Sequence, residues 1–315
     1  VSPLRVPRGL RGAPHHLGAL ALFLAAVEAA TGALLSAHYV PTARDAHASV
    51  RGIVAEVPFG DLIRAVHARG ADLLVVTVWA AILAAALTGG YRRARAVGWF
   101  ALVAMGFVTL DAAFTGSLLP GSRDSAAGVQ IATATLGTLP AVGPWLRRAM
   151  LGGTSEGTVT LVRIWAAHAA LLPGVATILG AAMAWRLPVD DDGDDPLPLA
   201  PHFVTRVAAL CTAASLALVV LAAFASPEVG PVASAVPSGG APPWYLGAAH
   251  VALKSLPPRM IGVPGGTVAV LGGLALAVAL TALPAVDPRA GRLGRSFALT
   301  LALAVLGGTV YARLA

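Results

Sequence analysis

Charge is scarce in this chain. Asp, Glu, Lys and Arg make up 12% of its 315 residues, against 57% apolar ones, where soluble domains carry about 25% charged residues. With a mean hydropathy of +0.77, a soluble globular fold is excluded and a membrane protein is expected. Lysine is almost absent: Lys254 stands alone, and the formal charge of +7 comes from arginine. Those arginines fall in loops and helix ends, not in a basic stripe interleaved with aromatics. Nucleic acid is therefore excluded as a partner, and anionic lipid headgroups account for the charge. Cys211 is the single cysteine, which rules out an internal disulfide, a multi-Cys zinc site and a self-contained iron–sulfur cluster. It reads as a small core residue. The chain's one acidic run, Asp190-Asp191-Asp192-Gly193-Asp194-Asp195, lacks the spaced ligands and closing glutamate of a calcium loop and reads as a solvated linker. Residues 1–17 carry arginines but no cleavage pattern after a short apolar core, so no removable signal peptide is expected.

What the chain has is long apolar runs. They lie at about 17–38, 71–87, 97–119, 161–185, 204–225, 266–283 and 297–311, each near the ~20 residues a spanning helix needs. An all-α polytopic membrane protein of about seven transmembrane helices follows. Pro173 sits inside the fourth run, where membrane helices tolerate it. Between the third and fourth runs, residues 130–136 and 144–151 suit short surface helices. The acidic, Pro-rich stretch 189–201 separates a four-helix half (1–188) from a three-helix half (202–315). Arg5, Arg8, Arg11, Arg92, Arg93, Arg95, Arg289, Arg292 and Arg295 fall on one side in short segments. By the positive-inside tendency that side, with the N-terminus, is cytoplasmic.

Two histidines occupy corresponding places near the opposite, outer face. His67 lies three residues after Arg64 at the start of the second span, and His168 five residues after Arg163 at the start of the fourth. A lone histidine in an apolar segment is usually a hydrogen-bonded core residue. Two on neighbouring helices can grip one haem iron from both sides. Gly32 and Gly116, near the outer ends of the first and third helices, let a flat macrocycle approach the backbone, and Arg64 is placed to pair a propionate.

Several ordered motifs resemble the cytochrome b family of quinol–cytochrome c oxidoreductases, including its split photosynthetic form. They are Thr31-Gly32-Ala33-Leu34-Leu35-Ser36-Ala37-His38-Tyr39-Val40-Pro41-Thr42, Val57-Pro58-Phe59-Gly60-Asp61-Leu62-Ile63-Arg64-Ala65-Val66-His67, Phe114-Thr115-Gly116-Ser117-Leu118-Leu119-Pro120 and Thr160-Leu161-Val162-Arg163-Ile164-Trp165-Ala166-Ala167-His168. A last one, Pro242-Pro243-Trp244-Tyr245, precedes the sixth helix. The resemblance implies haem b held by His67 and His168 as axial ligands, with Gly32, Gly116, Arg64 and Arg163 around it. It also implies a Rieske iron–sulfur protein, a c-type cytochrome and a second cytochrome b-like subunit as partners, quinone or lipid as the apolar ligand, and the bacterial inner membrane as location.

Family members hold a second, inner haem about 14 residues, or ~21 Å, further along the same two helices. Here that position is Ala81 on the second helix, and Ala182, or Met183 with one residue added, on the fourth. The family's neighbouring arginine is Ala84 and its inner third-helix glycine is Leu102, while Gly18 remains. Met183, or His15 and His16 near the inner face, are the substitutes left, although Ala81 offers no opposite partner. The Pro-Glu-Trp-Tyr motif beside the family's quinol site has Pro243 in place of its glutamate, the group suited to take and release a proton. Glu228, Asp124 and His250 are nearby in sequence but outside the motif, and read as loop or interfacial residues. One outer haem and a degenerate quinol site are expected. Such a chain suits an electron-transfer subunit, a silent structural anchor or the degenerate half of a heterodimer. A transporter has little support: the membrane carboxylates are few, chiefly Glu28 and Asp111, each expected to bond a neighbouring helix, and no inverted repeat is evident.

Overall fold

In a computed structural model, residues 5–6, 12–92, 96–185, 197–233, 242–287 and 292–314 are described. The acidic run 190–195, Arg8, Arg11, Arg93, Arg95 and Arg289 lie outside them, as does most of the 189–201 linker. The chain is nearly all α. Its helices are α1 Ala13–Ser36, α2 Ala46–Glu56, α3 Gly60–Thr88, α4 Ala96–Ser117, α5 Arg123–Gly137, α6 Gly143–Leu151, α7 Thr158–Ala166, α8 Leu172–Trp185, α9 Val204–Phe224, α10 Gly247–Ser255, α11 Gly265–Val286 and α12 Arg292–Leu314. Two antiparallel pairs of two-residue strands complete it, Arg5–Val6 with Leu197–Pro198 and Arg259–Met260 with Val263–Pro264.

Among the described residues, 7 helices are long and apolar enough to cross a membrane, α7 and α8 counting as one through the π turn Ala167–Leu171. Their outward faces carry exposed apolar side chains such as Ile178, Leu216, Phe224, Val278 and Leu303. In a bilayer these meet lipid, while the helical backbone satisfies its own hydrogen bonds. The expected spans are all present. The second starts earlier than its hydropathy suggests, at Gly60, because its first turns mix Asp61, Arg64 and Arg69 with apolar residues. A Cβ at Gly60 would run into the Ile53 carbonyl, so glycine permits the tight joint between α2 and α3. The surface helices α5 and α6 appear where short helices were expected, with α5 extending seven residues further toward the N-terminus.

Helices α1, α3, α4 and α7–α8 form a bundle with α1 packed along α3 and α4 along α8. The C-terminal helices cover it: α9 lies on α1 and α3, α11 on α4 and α5, α12 on α3 and α10. The two halves share one core, in which Val78, Ile82, Trp99 and Val103 pack with Leu280, Leu283 and Ala298. Polar ties cross the same seam. Trp99 Nε1 donates to the Leu280 carbonyl at 2.7 Å, Tyr91 to Asp287 at 2.9 Å, and Thr267 to the Thr138 carbonyl at 2.7 Å. Burial and the Asp287 bond push the Tyr91 hydroxyl up to about 12.

Candidate functional site

An open cavity of about 2270 Å³ runs along the bundle and beneath the 227–231 and 242–246 segments, larger than the roughly 300–1,000 Å³ typical of small-molecule pockets. It runs from Gly18 and Met183 at one end to Tyr39 and Tyr245 at the other. His67 and His168 both line it. Their ring centres are 6.0 Å apart and their planes cross at 88°. A metal held between two imidazoles by bonds of about 2 Å, each ring centre a further ~1.1 Å back, separates those centres by about 6.3 Å. The spacing fits one metal where the two Nε2 atoms face each other.

Each imidazole is oriented from behind. His67 Nδ1 lies 3.0 Å from Thr31 Oγ1 and 3.1 Å from Glu28 Oε2. The Thr31 hydroxyl gives its own proton to the Val27 carbonyl at 2.7 Å, so toward His67 it accepts. His168 Nδ1 donates to the Ala112 carbonyl at 2.9 Å, with Thr115 Oγ1 at 3.4 Å. Acceptors on the Nδ1 side fix the proton there and leave the Nε2 lone pairs for a metal.

Glycine has a sharper role here than letting a macrocycle approach. A Cβ on Gly32 would stand 3.2 Å from His67 Cε1, and one on Gly116 2.7 Å from His168 Cε1. The glycines make room for the imidazoles themselves. His168 sits in the π turn Ala167–Leu171, where the Leu172 N–H reaches back five residues to the Ala167 carbonyl. Pro173, which has no N–H to offer the preceding turn, follows at once. The extra residue of that turn selects between the two alternatives further along: Met183 faces the cavity, and Ala182 does not line it.

The two arginines part company. Arg64 lines the cavity, and its guanidinium donates to the carbonyls of Pro227 at 2.5 Å and Glu228 at 3.3 Å. Arg163, expected beside the cofactor, instead caps the end of α6 through the carbonyls of Ala149 and Arg148, and it does not line the cavity. The physical reason is helical phase: five residues before His168 puts Arg163 about 140° around the helix.

Pro242, Pro243, Trp244 and Tyr245 all line the Tyr39 end of the cavity. Trp244 Nε1 donates to Asp72 Oδ1 at 2.7 Å, and Asp72 also pairs with Arg69 at 3.1 Å. Burial pushes the Tyr245 and Tyr39 hydroxyls above their ordinary values, and Tyr39 donates to the Leu119 carbonyl at 2.8 Å. Glu228, Asp124 and His250, expected as loop or interfacial residues, also stand in the cavity wall. Burial and then Lys254 push the His250 imidazole down. Sequence reasoning missed Asp72 altogether, because a partner 172 positions away leaves no local pattern.

At the other end, Gly18, Ala81, Leu102 and Met183 line the cavity. Nothing lies within 4 Å of a Cβ placed on Gly18, so no imidazole rests against it as one does at Gly32. Ala84 does not line the cavity. His15 does, whereas His16 is buried with Nδ1 3.1 Å from the Gly12 carbonyl and its ring 5.1 Å from that of Phe203.

The family model for cytochrome b/b6/petB matches residues 6–185, which contain both histidines and both glycines. The chain belongs to the cytochrome b family. Within that family, the cytochrome b6 of Emiliania huxleyi is 35% identical over 163 residues, 52% of this chain and 76% of its own length. That of Heliomicrobium gestii is 37% identical over 162 residues, 51% and 76% of the two chains. A solved chain of a hyperthermophilic respiratory Complex III superposes with a TM-score of 0.79 at 21% identity, covering 99% of this chain and 86% of that one. The shared fold thus extends over the C-terminal helices. Membership of the cytochrome b family implies haem b binding and a role in electron transport. The histidine pair, its spacing and its oriented Nδ1 atoms fit that group.

Proposed function

We propose that this cytochrome b-type chain is the membrane subunit of a quinol–cytochrome c oxidoreductase-like complex and holds one haem b between His67 and His168. The observation that carries this reading is the contrast between the two ends of the cavity. At one end two imidazoles 6.0 Å apart rest against Gly32 and Gly116; at the other, Ala81 and Met183 line the wall where imidazoles would be needed, Leu102 replaces a glycine and Gly18 meets open space. When bound, the haem supplies reversible one-electron chemistry. The chain's own part is to hold both Nε2 atoms toward the iron, keep water away with apolar walls, and meet propionate charge with Arg64, freed from the 227–228 carbonyls. Arg163 stabilises α6 and stands outside the haem set.

Without a second haem this chain has no relay to an inner quinone site, and with Pro243 in the motif it lacks the usual proton acceptor. It does not run a two-branch quinone cycle alone. A Rieske iron–sulfur protein, a c-type cytochrome and a second cytochrome b-like chain are the expected partners, in a bacterial inner membrane with the N-terminus cytoplasmic. Quinone or lipid is the apolar ligand of the outer end.

Replacing His168 with Ala in the assembled complex tests the electron-transfer role. The carrier reading expects haem b to be lost and electron transfer per assembled complex to collapse. Reduced yield with unchanged turnover per complex would support the anchor reading instead.

A further inference from the structure

Asp111 lies on α4 six residues before its end at Ser117, about 9 Å along the axis at 1.5 Å per residue. The sequence leads to the expectation of a bond with a neighbouring helix. Among the described residues, however, nothing hydrogen-bonds or pairs with its side chain. Thr115, one turn on, gives its hydroxyl proton to the Asp111 and Ala112 backbone carbonyls, at 2.7 and 3.0 Å. Asp111 is also the one exposed residue between 101 and 117. It shares a face of α4 with Ala104, Phe100 and Val97, and Phe100 and Val97 are 43% and 48% exposed. Trp99, Val103, Gly106 and Thr109 bury the opposite face.

Helix α11 lies on α4 and α5, fixed by the Leu280 carbonyl to Trp99 and by Thr267 to the Thr138 carbonyl. Between these ties Leu271, Gly272, Gly273, Leu274 and Ala275 are all exposed. Five successive residues turn more than once round a helix, so α11 is uncovered there on its α4 side as well. A Cβ on Gly272 or Gly273 would meet nothing within 4 Å. From the Trp99–Leu280 bond, Leu271 is about 14 Å along α11 and Asp111 about 18 Å along α4, toward the same end of the bundle. The open stretch and the carboxylate thus stand within about one helical turn of each other in depth.

We propose that this cleft between α4 and α11 receives a transmembrane helix of a partner subunit whose arginine or lysine bonds Asp111. The inference rests on the chain working within a complex and not on its haem. A carboxylate at that depth needs a partner, because the bilayer interior supplies neither water nor a donor. Its short side chain does not span the ~9 Å to the headgroups, which leaves lipid cations out of reach. A second copy of this chain is a poor match. The described cations of its spans sit in end turns or, like Arg64, Arg69 and Arg163, already donate to its own carbonyls. A foreign helix with a basic residue remains, and the two glycines let its backbone come close.

The test is photo-crosslinking in the intact complex, with p-benzoylphenylalanine in place of Phe100, together with the variant Asp111→Leu. The crosslinked peptide should come from another subunit and contain an arginine or lysine within an apolar run. In Asp111→Leu the amount of that subunit per haem should fall about tenfold, the scale of one lost interhelical bond in a membrane, with the haem spectrum kept. A crosslink only to lipid, to a second copy of this chain or to a peptide without a basic residue would overturn the proposal and leave the complex standing. So would an unchanged subunit ratio in Asp111→Leu. If that variant does not assemble, the sequence of the Phe100 crosslink decides alone. A purified complex with no other membrane subunit would overturn the reading of this chain as part of a complex, and this inference with it.

Discussion

His67 and His168 face one another across the bundle with ring centres 6.0 Å apart and planes at 88°. They come from helices that begin about a hundred residues apart, and each is held by its own neighbour: His67 by α1, His168 by α4.

The close approach of His168 to α4 is less forgiving than that of His67 to α1. A Cβ on Gly116 would stand 2.7 Å from His168 Cε1, against 3.2 Å for Gly32 and His67. Gly116→Ala is expected to displace the imidazole and lower haem occupancy severalfold. Gly32→Ala should be milder, with occupancy kept and the haem absorbance bands shifted. Haem-to-protein ratios of the two purified variants check the order.

Arg163→Ala should leave the haem untouched. The side chain caps α6, and losing a cationic contact at a helix C-terminus costs about 0.3–1 kcal/mol. A small fall in thermal unfolding temperature, with the haem spectrum and midpoint unchanged, is expected. A lost or altered haem spectrum would return Arg163 to the cofactor set.

Asp72 docks the Pro242-Pro243-Trp244-Tyr245 segment onto α3 through Trp244. Asp72→Ala removes the acceptor of a half-buried indole N–H, at about 1 kcal/mol. Hydrogen exchange over residues 244–246 should quicken, while α7 and the π turn that carries His168 keep their protection.

The seam between the halves can be tested at Trp99, which is fully buried and donates to the Leu280 carbonyl at 2.7 Å. Trp99→Phe leaves that carbonyl unpaired and a void beside it, and should destabilise by about 2–4 kcal/mol. Thermal unfolding of the purified complex would show it.

The spans, the histidine pair and its glycines were legible in the sequence because apolar length and motif spacing are local properties. The early start of α3 was not, since Asp61, Arg64 and Arg69 dilute the hydropathy of a helix that tertiary contacts sustain. Helices α2 and α10 were missed for another reason: at 11 and 9 residues they are too short to show as spans. Glu28 was expected to bond a neighbouring helix, and it does. That its partner is His67 depends on the register of α1 against α3, which no spacing within either helix reveals. Arg163 was placed with the cofactor by its position in a motif, and the phase of α7 turns it to α6. The π turn at Ala167–Leu171 was not expected, since Pro173 reads only as a tolerated residue within the span; beyond that turn Met183 lines the cavity and Ala182 does not.

Haem content per chain is the most direct measure of the central claim. A pyridine haemochrome assay on the purified complex, divided by the quantity of this chain and corrected for any other haem b-binding subunit, should return one haem b. His67→Ala should return none. Two haems per chain, with one surviving in His67→Ala, would contradict a single site and place the second haem at the Met183 end of the cavity.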